Sequence, residues 1–284
     1  MYAPREADLF TRLQAFAPLP EYLADGKAHV LHIDFEGRCQ LHLDVVGNDN
    51  WSQHAEALCL AYGVDDGEVL IWRPGDPVPA CFIEAARNPL WLVVSFNAGF
   101  ERSIFSHLLV PQCEFPGIPL AQWRCTQAMA GAMALPTKLE VLAGALDLLD
   151  RKDSAGHKVM MRMTKPRKAK KNEDPNGTYW HDTPELREHL ERYCIQDVIV
   201  EREIWHQLHP LSDAEHNLWR VDRIINERGF LIDGSLLQAE QRILEAAEPA
   251  INAELAQATG GAVSTISGRA RRMASVTRRR PSLS

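Results

Sequence analysis

From Val30 to Glu36 apolar and polar side chains alternate, reading Val-Leu-His-Ile-Asp-Phe-Glu. A period of two marks a strand, with Leu31, Ile33 and Phe35 on one face and Asp34 and Glu36 on the other. Leu58–Val64 and Glu68–Arg73 are also β-type, and Asp65-Asp66-Gly67 between them is a hairpin signal. Pro74-Gly75-Asp76-Pro77 ends that pair. Leu90–Phe96 is apolar almost throughout, which suits a strand covered by helices on both faces. At Asn97 the pattern changes, and a helical period runs from Ala98 to Leu109.

Three further helices announce their starts. Thr137 and Glu140 form a capping-box pattern ahead of Leu139–Leu149. Thr183 followed by Pro184 is an N-cap with proline at the first helical position, opening a long helix over about 184–208. Ser212 and Glu215 repeat the capping box for a helix reaching Arg228, which Gly229 stops. Strands alternating with helices predict an α/β domain over residues 29–210. Residues 1–28 read as a leader with a short amphipathic helix near Ala7–Phe16. Residues 211–262 form a small helical extension, with a helix over about 235–258, and 263–284 read as a basic disordered tail. Lys158–Lys171 is basic and weakly periodic, and reads as a mobile surface loop. Such a charge run is a solvated face by default, or a strand-contacting loop in an enzyme that processes phosphodiesters.

Composition narrows the setting without changing the fold. Hydrophobic residues make up 45% of the 284 and charged residues 24%, as in ordinary globular proteins. No apolar run approaches the roughly 20 residues that span a bilayer, and the N-terminus lacks a signal-peptide pattern. The six cysteines are irregularly spaced with no Cys-x-x-Cys pair, which fits a reduced interior. The expectation is a cytoplasmic protein, bacterial or phage-encoded, with no membrane partner. A net charge of −7 provides no global field for nucleic acid, so phosphate binding must rest on local basic patches or on metal.

The candidate chemistry begins with Asp34 and Glu36. Two carboxylates side by side on a buried strand repel and are costly to desolvate, and a hard divalent cation relieves both costs. The alternative is an edge strand whose polar face meets water. A second piece is Ser95-Phe96-Asn97-Ala98-Gly99-Phe100-Glu101, at a strand-to-helix junction of the kind where open α/β sheets place ligands. Glu101 there is a site acid or a surface acid favoured by the helix dipole. The third is Tyr193-Cys-Ile-Gln-Asp197, whose i, i+4 spacing presents a phenol and a carboxylate together. A surface tyrosine beside a surface acid is the alternative. A zinc site from His206, His209 and His216 has no suitably spaced cysteine to complete it.

In their order, Asp-x-Glu, Asn-x-x-Phe-acid and Tyr-x-x-x-Asp resemble the motifs of the DEDD proofreading exonucleases, tyrosine subclass. Further matches at Trp123–Met129, Leu135-Pro136, Lys165–Lys168 and Trp180-His181 make residues 28–260 similar to the exonuclease domain of phage-type family A DNA polymerases. The resemblance implies an RNase H-like mixed sheet flanked by helices. It also implies hydrolysis of DNA 3′ ends, single-stranded or frayed, with two Mg2+ or Mn2+ ions. Asp34, Glu36 and Asp197 would ligate the first ion and Asp34 would bridge to the second. Tyr193 would orient the attacking water, and Glu101, glutamate where the broader superfamily has aspartate, would act through water. Phe35, Asn97 and Phe100 are candidates for holding the terminal nucleotide, or are structural. Ser212–Asp233 resembles the first helix and strand of the polymerase domain, and the sequence stops before any polymerase carboxylates, so a standalone or truncated exonuclease is expected, with a polymerase subunit as a further candidate partner. Two rivals stay open: an exonuclease that trims RNA 3′ ends, and an inactive module that only binds a 3′ end.

Overall fold

The computed structural model describes residues 28–148 and 154–265. They fall into two compact units, one running to Glu227 and the other starting at Arg228. The leader helix expected at Ala7–Phe16 and nearly all of the basic tail lie outside the described residues.

The first unit is built on a mixed sheet of five strands: β1 (Val30–Arg38), β2 (Glu56–Val64), β3 (Leu70–Trp72), β4 (Leu92–Ser95) and β5 (Trp123–Cys125). The order is β3-β2-β1-β4-β5, which puts β1 at the centre. β2 runs antiparallel to β1 and to β3, whereas β4 is parallel to β1 and to β5. The expected hairpin joins β2 to β3, and its turn closes with Gly67 N–H donating to the Val64 carbonyl at 2.9 Å. Around the sheet lie α1 (Leu43–His54), α2 (Ala80–Arg87), α3 (Ala98–Ile104), α4 (Thr126–Ala132), α5 (Leu139–Ala145), α6 (Ser154–Met163), α7 (Pro184–Gln207) and α8 (Asp213–Arg228). The class is α/β, as the alternation of strands and helices predicts.

The alternation along β1 divides the core. Leu31, Ile33 and Phe35 join one apolar cluster with Phe82, Phe105, Phe115 and Trp123. On the other side α7 brings Cys194 and Val198 against Cys59 and Ala61 of β2. The helix after Asn97 widens to a π-helical stretch at Phe105–Leu109, just before Pro111, which has no N–H to continue the regular ladder. Thr183 caps α7, its hydroxyl accepting from Leu186 N–H at 3.4 Å. The Ser212–Glu215 box forms in both directions: Glu215 N–H donates to Ser212 Oγ at 3.3 Å, and Ser212 N–H to the Glu215 carboxylate at 2.9 Å.

Three expectations need correction. Lys138, in extended conformation, precedes α5 with no side-chain cap, so the Thr137–Glu140 box does not form. Lys158–Met163 is not loop but the end of α6, whose buried anchor there is Met163. Phe230–Ile232 is not a strand; all three residues are exposed and no described strand pairs with them. The second unit is otherwise as expected: α9 (Gly234–Ala258) starts at Asp233, whose carboxylate accepts from Ser235 and Leu236 N–H. It ends before Gly260 and Gly261, both at positive φ.

Candidate active site

The site lies along the line where α7 crosses β1. The polar face of β1 is a row of His32, Asp34 and Glu36, and one face of α7 carries Tyr193, Cys194, Asp197 and Glu201. Four strand residues rise about 13 Å and eight helical residues about 12 Å, so the two rows keep step. At one end His32 Nδ1 and Glu201 Oε2 are hydrogen-bonded at 2.7 Å. In the middle the Cys194 thiol lies 3.3 Å from the Asp34 carbonyl oxygen and 3.4 Å from Asp34 Oδ2. At the far end Tyr193 hydrogen-bonds to Asp197 and feels the charges of Glu36 and Asp34. Burial and these three carboxylates push the phenol well above its usual value, so it stays protonated at neutral pH.

Glu101 arrives from the neighbouring strand. β4 pairs with β1 through His32 and Val94, and Ser95 then ends the strand. From α3, Glu101 turns back so that Ser95 Oγ donates to its Oε2 at 3.1 Å. It is 4% exposed, not a surface acid. Burial first, and then the charge of Asp34, hold its carboxyl well above the ordinary range. Gly99, in the first turn of α3, faces the guanidinium of Arg223 at the place a Cβ would occupy, so a side chain there would displace α8 from this corner.

A cavity of about 360 Å3 opens beside these groups, within the usual range for ligand pockets. Glu36, Tyr193 and Asp197 line one side; Phe35, Trp51 and Phe100 form an apolar wall, and Met160, Met161 and Lys165 close the rim. Trp51 and Phe100 are in ring contact at 5.5 Å. The end of β1 has a register shift between Glu36 and Gly37. A Cβ on Gly37 would fall 2.6 Å from the Phe35 ring, so glycine lets that ring lie where it does.

The structure thus brings Asp34, Glu36, Glu101, Tyr193 and Asp197 together, with Phe35 and Phe100 beside them. Asn97 is exposed at the end of β4 and does not line the cavity. Sequence reasoning missed His32, Trp51, Met160, Cys194 and Glu201. Of these only Glu201 left a usable trace, as the next step of the Tyr193–Asp197 spacing. The three histidines proposed as a zinc site are spoken for separately: His206 pairs with Asp66 at 2.8 Å, and His216 Nε2 lies 3.1 Å from the Trp123 carbonyl oxygen. Among the described residues no three His, Cys, Asp or Glu side chains stand as a ready-made metal cage. The donor set is still all carboxylate oxygen, mostly buried and mutually repelling, which is the chemistry a hard divalent cation suits.

All six cysteines are free thiols. No described helix is long and apolar enough to cross a membrane. No protein-family model matches the chain. It is 35% identical over 215 residues to a protein of Bacillus phage SP02 described as DNA polymerase. That match covers 72% of this chain but only 32% of the phage protein, so the chain spans about a third of its relative's length. The chain is therefore a homologue of a phage DNA polymerase over a stretch that carries the acidic rows of β1 and α7.

Proposed function

We propose that the chain is a metal-dependent 3′-5′ exonuclease acting on DNA, of the proofreading or repair type. The observation that carries this reading is the convergence of Asp34, Glu36, Glu101 and Asp197 with a protonated Tyr193 beside one apolar-walled cavity. Likeness to a phage DNA polymerase supports the same substrate class. Asp34, Glu36 and Asp197 would hold Mg2+ or Mn2+, with Asp34 shared between two ions. Bound there, the ions supply positive charge for the scissile phosphate and acidify water at neutral pH. Tyr193, kept protonated, orients the attacking water by hydrogen bonding and does not take its proton. Glu101 holds water at the far side of Asp34, its own carboxyl steadied by Ser95. Phe35, Trp51 and Phe100 pack the terminal nucleoside. We further propose the exonuclease domain as residues 29–210, with 211–262 a helical remnant like the start of a polymerase domain.

Single strands of DNA and of RNA, labelled at the 5′ or the 3′ end, test the reading. Mg2+- or Mn2+-dependent release of mononucleotides from the DNA 3′ end, abolished by EDTA, is the expected result. Faster cleavage of RNA moves the assignment to RNA trimming. Binding without cleavage in every metal makes the chain an inactive 3′-end module.

A further inference from the structure

The chain carries an excess of negative charge, yet the segment closing the rim of the cavity is strongly basic. Between Lys158 and Lys171 there are seven Lys and Arg residues and no acid. The acids that follow, Glu173 and Asp182, are turned inward to hold this arm in place. Glu173 grips Arg167 with both oxygens, at 2.6 and 2.7 Å, and accepts from Lys170 N–H. Arg167 also bridges to Tyr179 through its backbone and lies over the Tyr179 ring. Asp182 reaches Arg38, at the end of the strand that carries Asp34 and Glu36, at 2.7 Å. Arg38 in turn lies over the Trp180 ring. The arm is thereby fixed to the same strand as the site acids.

This arrangement consumes the arm's carboxylates and leaves its lysines. Lys165 stands in the cavity wall, and Lys168, Lys170 and Lys171 follow it, exposed and without a carboxylate partner among the described residues. An arm built only for solubility would have no reason to spend both acids on internal arginines and hold four lysines beside the cavity mouth.

We infer that Lys165, Lys168, Lys170 and Lys171 form a phosphate track for single-stranded DNA, holding the nucleotides upstream of the one in the cavity. The inference rests on the exonuclease reading for its substrate. It goes further in fixing the side from which the strand enters: over the arm, past Met160 and Met161, toward Glu36 and Tyr193. Contact is with phosphate, so the track is indifferent to base sequence.

The test is fluorescence-anisotropy binding of a labelled oligothymidylate to the full chain in EDTA, across a series of salt concentrations. Each lysine on a single-strand phosphate contributes about 0.7 to the slope of log affinity against log salt. The triple variant Lys168→Gln/Lys170→Gln/Lys171→Gln should lower that slope by about 2, and weaken binding about 100-fold at 0.1 M salt. Lys138→Gln, an exposed lysine ahead of α5, serves as control and should leave the slope unchanged. Equal slopes in the triple variant and the control, or no binding by the parent chain, overturn the track. Metal-dependent cleavage by the parent is scored separately. Cleavage with an unaltered slope removes the track alone, and a lysine-dependent slope without cleavage removes the exonuclease reading alone.

Discussion

The His32–Glu201 pair fixes where α7 sits on β1, and its removal is predicted to have a large and specific cost. The two side chains are 1% and 2% exposed and 2.7 Å apart. Glu201→Ala leaves His32 buried with its partner gone. Breaking a buried pair from one side costs about 3–5 kcal/mol, more than the net worth of the hydrogen bond, because the survivor stays desolvated. For a unit of this size each kcal/mol lowers Tm by about 2–4 °C, so a fall of about 6–20 °C is expected. The pair is not itself a strong source of stability, because Glu201 Oε1 is buried with no partner. Replacing both residues by apolar ones of similar size, His32→Leu with Glu201→Met, should therefore restore most of the loss. Urea unfolding of the metal-free protein, with the m-value checked for constancy, measures all four corners of this cycle. A loss below 1 kcal/mol in Glu201→Ala, or a double variant that is simply the sum of the singles, would refute the reasoning.

Other perturbations separate chemistry from folding. Asp34→Asn or Asp197→Asn should abolish metal-dependent cleavage while metal-free stability holds or rises, since each removes charge from a repelling group; cleavage retained in either variant would sink the metal assignment. Glu101→Gln should lower cleavage by about 10–100-fold, the range for groups that act beside metal ligands; no change would leave Glu101 without a role. The same substitution has a pH signature. The folded state holds the Glu101 proton more tightly than the unfolded chain does, so the parent loses stability as pH rises above the ordinary carboxyl value of 4.5. Glu101→Gln lacks that loss and should gain on the parent as pH increases, in thermal melts run with EDTA; a constant difference from pH 4 to pH 8 would count against the buried geometry. Cys194→Ala removes the thiol beside Asp34 and leaves a small void, a cost of about 1–2 kcal/mol by denaturant titration.

The sheet's centre was legible because β1 obeys a simple rule: one face is apolar, and the other carries chemistry. The long helix was legible because Thr183 and Pro184 mark its start unambiguously. Elsewhere local signals competed with tertiary ones. Residues 43–54 contain Gly47 at φ 75°, where the helix kinks, and their polar residues show no helical stripe. That concealed α1, and with it Trp51 in the cavity wall. Helix α6 was obscured by its own charge: its lysine and arginine face outward, and few apolar residues remain to set a period. The Thr137–Glu140 pattern had the right letters, but the chain enters α5 at Lys138 instead. Within the site, the carboxylates and Tyr193 could be read from spacing, whereas the burial of Glu101 could not. A lone histidine on a strand gives no hint of a partner 169 residues away.

That separation has a consequence for the timing of synthesis. At about 5–20 residues per second, Asp34 and Glu36 leave the ribosome about 8–34 seconds before Glu201 does. During that interval the acidic strand exists without the helix that supplies Asp197 and Tyr193. An unfinished or prematurely cut chain that stops short of α7 is therefore inert by construction. The capacity to cut nucleic acid arrives late, in one step, and not while the nascent chain is still being made beside ribosomal RNA and messenger.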